Sequence, residues 1–199
     1  YAFAVYPIVP QMMGARAQVV PAHDHDHPMA LGHDLRAMYA AIEPSTRLVF
    51  VANPNNPTGT WLHHDRLRDF VASLPPEVIC VVDEAYTEYG EPDVLGDATT
   101  WVDACPNLVV TRTFSKAYGL AGLRVGYAIS NPGIADLLNR VRSTFNVNAP
   151  GLAAARAALD DQAPLEETTA TNEAGLAPLT SGLDQLRVAH TPSNAISLL

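Results

Sequence analysis

Three short, unbroken apolar runs limit what this chain can fold into more than any other feature in it. They are Arg47-Leu48-Val49-Phe50-Val51-Ala52, Val78-Ile79-Cys80-Val81-Val82 and Leu108-Val109-Val110-Thr111. Their apolar positions do not alternate with polar ones, so each reads as a strand buried on both faces. Between the first two, Leu67, Phe70, Val71 and Leu74 recur at helical spacing along His63 to Leu74. Buried strands separated by helices predict a mainly parallel sheet covered on both faces, a three-layer α/β/α arrangement. Val125 to Ser130 reads as a further strand of either direction. Later segments read as helices: Ile134 to Val141 behind an Asn131-Pro132 cap, Leu152 to Leu159, and Leu165 to Leu186, the last weakened by Gly175, Pro178 and Gly182. Both ends, from Tyr1 and from Ile196 to Leu199, look strand-like, so the chain reads as an internal piece of a longer protein.

Each apolar run ends in a polar cluster. The first runs into Asn53-Pro54-Asn55-Asn56-Pro57-Thr58-Gly59, the second into Asp83-Glu84-Ala85-Tyr86, the third into Thr111-Arg112-Thr113-Phe114-Ser115-Lys116. Position 56 to position 83 is 27 residues and 83 to 116 is 33, each about one strand–helix–strand unit. If the strands are parallel, all three clusters leave the sheet at its carboxyl edge, where open α/β sheets bind ligands. Glu84, next to Asp83 on a strand, would face the other way and carries no assigned chemistry.

Charge narrows the ligand. With 12 basic and 21 acidic residues, a formal charge of −9 argues against nucleic acid and against an anionic membrane surface. No run reaches the roughly 18 apolar residues of a membrane span. Eleven of the 12 basic residues are Arg, and the single Lys is Lys116. An Arg can replace Lys on a solvated surface, but it cannot form a Schiff base. Cys80 and Cys105 have neither zinc-ligand nor disulfide-framework spacing. The tract His23-Asp24-His25-Asp26-His27 reads as a solvated loop rather than a metal site, and no metal is expected.

One amine, one carboxylate, a phenol, an amide and a guanidinium at one sheet edge suit pyridoxal phosphate. Its aldehyde needs the amine, its pyridine nitrogen an anion, its phenolic oxygen hydrogen-bond donors, and its phosphate hydroxyls and an Arg. Singly, each residue has a plainer role: Asp83 as a helix N-cap, Asn56 as a turn residue, Tyr86 and Phe3 as core, Arg124 as a solvated side chain. Jointly those readings require five coincidences at one edge.

The segments Asn55-Asn56-Pro57-Thr58-Gly59, Asp83-Glu84-Ala85-Tyr86 and Ser115-Lys116-Ala117-Tyr118-Gly119-Leu120-Ala121-Gly122-Leu123-Arg124-Val125-Gly126 resemble the class I/II aminotransferases of pyridoxal-phosphate fold type I. The nearest branch is the one that acts on histidinol phosphate. The resemblance implies Lys116 as Schiff-base lysine and proton carrier, and Asp83 as partner of the pyridine nitrogen. It implies Tyr86 and Asn56 as donors to the phenolic oxygen, Ser115, Arg124 and Thr113 at the phosphate, and Phe3 stacked on the ring. It further implies an amino donor and a 2-oxo acid as substrates, histidinol phosphate and 2-oxoglutarate first among them, in histidine biosynthesis. A cytoplasmic homodimer is expected on the same ground. Residues 1–187 would be the incomplete cofactor-binding large domain, and 188–199 the start of a small domain. Other readings stay open: an aromatic aminotransferase, a decarboxylase of the same fold, or a non-catalytic regulatory domain that binds the cofactor.

Overall fold

The computed structural model describes residues 1–197. Its helices are α1 (Val5–Met12), α2 (Leu35–Ala40), α3 (His64–Ser73), α4 (Pro92–Leu95), α5 (Pro132–Val141), α6 (Ala149–Asp160) and α7 (Ala163–Gln185). Four strands form one sheet in the order β1 (Leu48–Ala52), β2 (Ile79–Asp83), β3 (Leu108–Thr113) and β4 (Gly126–Ser130). The first three are parallel, in a register that sets Ala52 beside Asp83 and Asp83 beside Thr111. β4 returns antiparallel to β3. The connections explain the change of direction. α3 carries the chain back between β1 and β2, and α4 with a 3₁₀ turn at Ala98–Trp101 does so between β2 and β3. Between β3 and β4 lies only the 3₁₀ turn Ala121–Leu123, too little to recross the sheet for a parallel return.

The register sorts the strand residues onto two faces. Val51, Cys80, Val82, Leu108 and Val110 share one face, with Val49 beside them, and join Leu67, Phe70 and Val71 of α3 and Trp101 in the main core. Leu67 and Val71 are each 1% exposed, and burying a side chain of this size contributes about 1.5–3 kcal/mol. The second face is more open. Tyr6 of α1 packs on Phe50 with ring centroids 5.3 Å apart, while Leu48 stays 52% exposed. A smaller core of Phe114, Val125 and Ala155, with Tyr118, Leu123 and Tyr127 against it, fastens the β3–β4 turn to α6. The result is a mixed α/β sheet with helices on both sides, as expected.

Local signals in the later helices are used as read. The Asn131 side chain caps α5 by accepting from Gly133 and Ile134 N–H, and Asn148 caps α6 by accepting from Gly151 N–H. α7 runs through Gly175, Pro178 and Gly182 without a break. The strand-like reading of the amino-terminal segment is corrected. Tyr6 N–H bonds Phe3 O, and the turn opens into α1. Among the described residues β1 hydrogen-bonds β2 alone and this segment has no strand partner, and the helix seats Tyr6 on Phe50. At the other end, Ala195 to Ser197 is irregular, and Leu198 and Leu199 of the expected strand lie outside the described residues. Among the described residues no helix is long and apolar enough to cross a membrane.

Candidate active site

The loop after β1 is fastened from inside. Asn53 is 3% exposed; its Nδ2 donates to Leu62 O and its Oδ1 accepts from Leu62 N–H. Asn55 is fully buried and donates to the Thr58 hydroxyl at 2.8 Å, and the Thr58 and Thr60 hydroxyls bond each other at 2.7 Å. The chain's far end closes over this loop. Thr191 Oγ1 donates to Thr58 O, and Asn194 N–H donates to Gly59 O. Gly59 sits at φ +70°, and a Cβ there would lie 2.1 Å from Ser193 Oγ, so only glycine fits. A loop held this firmly presents Asn56 in a fixed direction, and Asn56 Nδ2 donates to the Tyr86 hydroxyl at 3.0 Å. That hydroxyl, already accepting, keeps its own proton for another acceptor.

β2 ends on two adjacent carboxylates that point opposite ways, as strand alternation requires. Asp83 lines a recess together with Asn56, Tyr86, Lys116, Phe3 and Tyr6. Its Oδ1 accepts from Ala85 N–H at 3.2 Å, and its Oδ2 accepts from the Tyr6 hydroxyl. Glu84 is 4% exposed and turns into the protein. There its Oε2 takes two bonds from Arg112, at 2.8 and 2.6 Å, and its Oε1 accepts from Ala98 N–H. Burial pushes the Glu84 carboxyl up, against the pull of Arg112. Burial works to lower the Arg112 guanidinium, yet Glu84 and then Asp97 carry it above its usual value. Glu84 and Arg112 therefore form a structural ion pair beneath the site.

Beyond β3 the chain turns sharply. Ser115 N–H bonds the Thr113 hydroxyl, Gly119 N–H bonds Lys116 O, and Leu120 N–H bonds Phe114 O. Phe114, 3% exposed, anchors the turn in the smaller core, and Lys116 projects toward the other loops with Nζ 5.2 Å from the Tyr86 ring centroid. Arg124 occupies the left-handed region at φ 57°, a strained setting for a non-glycine residue. Its guanidinium donates to Ala121 O at 2.8 Å and to Ser115 Oγ at 3.3 Å.

Of the eight residues expected at the site, Asn56, Asp83, Tyr86, Lys116 and Phe3 line one recess. Ser115 and Arg124 pair beside Lys116, on the solvent side. The Thr113 hydroxyl accepts from Ser115 N–H inside the turn and keeps its own proton to donate. Two residues escaped sequence reasoning. Tyr6 lines the recess and bonds Asp83. Its signal was a helical i, i+3 spacing from Phe3, hidden by the strand reading. His33, deep in the chain, places Nε2 3.0 Å from Ala52 O, where β1 enters the site loop. Burial lowers its imidazole below the usual range. In the tract from His23 to His27 the half-buried His23 leads into an exposed turn, and the rings of His23 and His27 stack, centroids 3.7 Å apart.

The family model for "Aminotransferase class I and II" matches residues 2–198. The chain belongs to this family. It is 54% identical to histidinol-phosphate aminotransferase 2 of Methylococcus capsulatus, over 97% of this chain and 52% of that protein. It is likewise 54% identical to histidinol-phosphate aminotransferase 2 of Pseudomonas aeruginosa, over 97% and 51% respectively. The crystal structure of histidinol-phosphate aminotransferase from Sinorhizobium meliloti in complex with pyridoxal 5'-phosphate superposes with a TM-score of 0.88 at 35% identity, covering 98% of this chain and 51% of that one. The chain thus spans about half the length of the curated relatives it matches.

Proposed function

We propose that this chain is the cofactor-binding part of a pyridoxal-phosphate-dependent aminotransferase that moves an amino group between histidinol phosphate and 2-oxoglutarate. One observation carries the reading: Asn56, Asp83, Tyr86 and Lys116, from three loops far apart in sequence, line a single recess. The donor set fits the cofactor. An amine, an anion, two donors joined by a hydrogen bond, and a Ser–Arg pair match, group for group, the aldehyde, pyridine nitrogen, phenolic oxygen and phosphate. When bound, pyridoxal phosphate supplies an electron sink for the charge that develops as a Cα proton leaves.

The chain's own residues then have separable tasks. Lys116 Nζ would hold the cofactor through its aldehyde carbon, and its amine is the group placed to move a proton at substrate Cα. Asp83 holds a proton on the pyridine nitrogen by its negative charge. The Tyr86 hydroxyl, accepting from Asn56, has its proton free to donate to the phenolic oxygen. Arg124 and Ser115 hold the phosphate through charge-assisted bonds, with Thr113 shaping the turn that carries them. Phe3, which lines the recess, would serve as the stacking ring. Residues 1–187 form the large domain, and 188–199 lead toward a second domain. A homodimer in the cytoplasm follows from the family resemblance.

The test uses the full-length protein. Incubation with pyridoxal phosphate should produce an absorbance band that borohydride abolishes, with the reduced label on Lys116. Label elsewhere, or none, sinks the cofactor reading. Histidinol phosphate should then convert the cofactor to its amine form faster than aromatic amino acids do. Faster conversion by an aromatic amino acid moves the assignment to that relative, and loss of a carboxyl group moves it to a decarboxylase. Binding without any conversion leaves a regulatory domain.

A further inference from the structure

Resting on the cofactor reading above, we propose that Tyr6 is a positioning residue that holds the Asp83 carboxylate in its working orientation. A carboxylate turns easily about its last side-chain bond, with two broad, equivalent minima. Here both oxygens are tied. The backbone N–H of Ala85 donates to Oδ1, and the Tyr6 hydroxyl donates to Oδ2 from a different element, α1. The Tyr6 ring is packed against two others. Phe3 meets it edge-on at 6.3 Å and Phe50 packs at 5.3 Å. The donor is also permanent. Burial and the adjacent Asp83 charge push the phenol well above its usual value, so it keeps its proton throughout the neutral range. Phe3 would meet the cofactor directly, whereas Tyr6 acts on it through Asp83, and the aromatic pair passes the position of α1 to the end of β2.

The variant Tyr6→Phe keeps the ring between its neighbours and removes only the donor. In full-length protein it should raise the dissociation constant for pyridoxal phosphate about tenfold, the scale of one bond to a charged group. The pH midpoint of the borohydride-sensitive band should move toward the value found in Asp83→Asn. Added to Asp83→Asn, the Tyr6→Phe change should have no further effect, whereas a purely structural role would cost the same in both backgrounds. An independent reading needs no variant at Tyr6. With ¹³C-labelled tyrosine, one ring signal should resist alkaline titration in wild type and titrate at lower pH in Asp83→Asn. Wild-type affinity and midpoint in Tyr6→Phe, or tyrosine titrations unchanged by Asp83→Asn, overturn the proposal while leaving the cofactor reading intact. Absence of the band in the wild-type protein overturns both.

Discussion

The recess is built from two regions that are supported differently. Asn56, Asp83 and Tyr86 stand on the main core, at the ends of parallel strands packed against α3. They are tied to one another and to distant chain: Asn56 to Tyr86, Asp83 to Tyr6, and the loop to Thr191. Lys116, Ser115 and Arg124 stand on the smaller core beneath the β3–β4 turn, and Arg124 is solvent-exposed. The first region is pre-formed by side-chain bonds within the chain. The second is held mainly by its backbone, and its side-chain bonds stay within the turn, from Arg124 to Ser115 and to Ala121 O. On the proposed reading, the cofactor ring would meet the first region and its phosphate the second.

Several measurements on the full-length protein can break or sharpen this contrast. The largest effect is expected for Lys116→Arg, which keeps the charge and removes the nucleophilic amine. Transamination should fall at least about a thousandfold, with the borohydride-sensitive band lost. An active Lys116→Arg enzyme would end the assignment of Lys116. Next, Glu84→Ala leaves Arg112 half-buried with only Asp97. Urea denaturation should show a loss of roughly 3 kcal/mol, because removing one partner of a buried pair strands the other. A loss no larger than that of a surface substitution would mean the main core does not depend on this pair.

The two regions should then separate by kinetics. Arg124→Ala removes a phosphate ligand and should weaken the cofactor about tenfold or more, with activity restored at saturating cofactor. Asn56→Ala instead frees the Tyr86 hydroxyl, and about tenfold of activity should stay lost however much cofactor is added. Equal recovery in both variants would erase the distinction. The smallest effect concerns pH. Burial lowers the His33 imidazole below the unfolded value near 6.5. Below that value the unfolded chain takes up this proton more readily than the folded one, so stability falls as pH drops from 7 toward 5, by at most about 1.4 kcal/mol per pH unit. Replacing His33 with Gln should flatten the slope of melting temperature against pH over that window. An unchanged slope would place the acid sensitivity elsewhere.

The main core and the first region were the more legible parts. Continuous apolar runs can be buried only in a covered sheet, and helical spacing from Leu67 to Leu74 named the element covering it. The pairing of Glu84 with Arg112 was invisible, because it joins β2 to β3 across 28 residues. The direction of β4 was also open, since either direction suits Val125 to Ser130 until the short link from β3 is seen. Tyr6 was not legible because the strand-like look of the first residues conceals a turn that leads into a helix.

Residue chemistry and strand spacing alone were enough to say that one amine, one acid, one phenol and one amide belong to a single pyridoxal-type site, because a parallel sheet sends every strand's end to the same edge. Which groups brace them was decided only in three dimensions. The hydrogen bonds of Tyr6, His33 and Thr191 join residues 77, 19 and 133 positions apart, and pattern along a chain carries no record of contacts at that range.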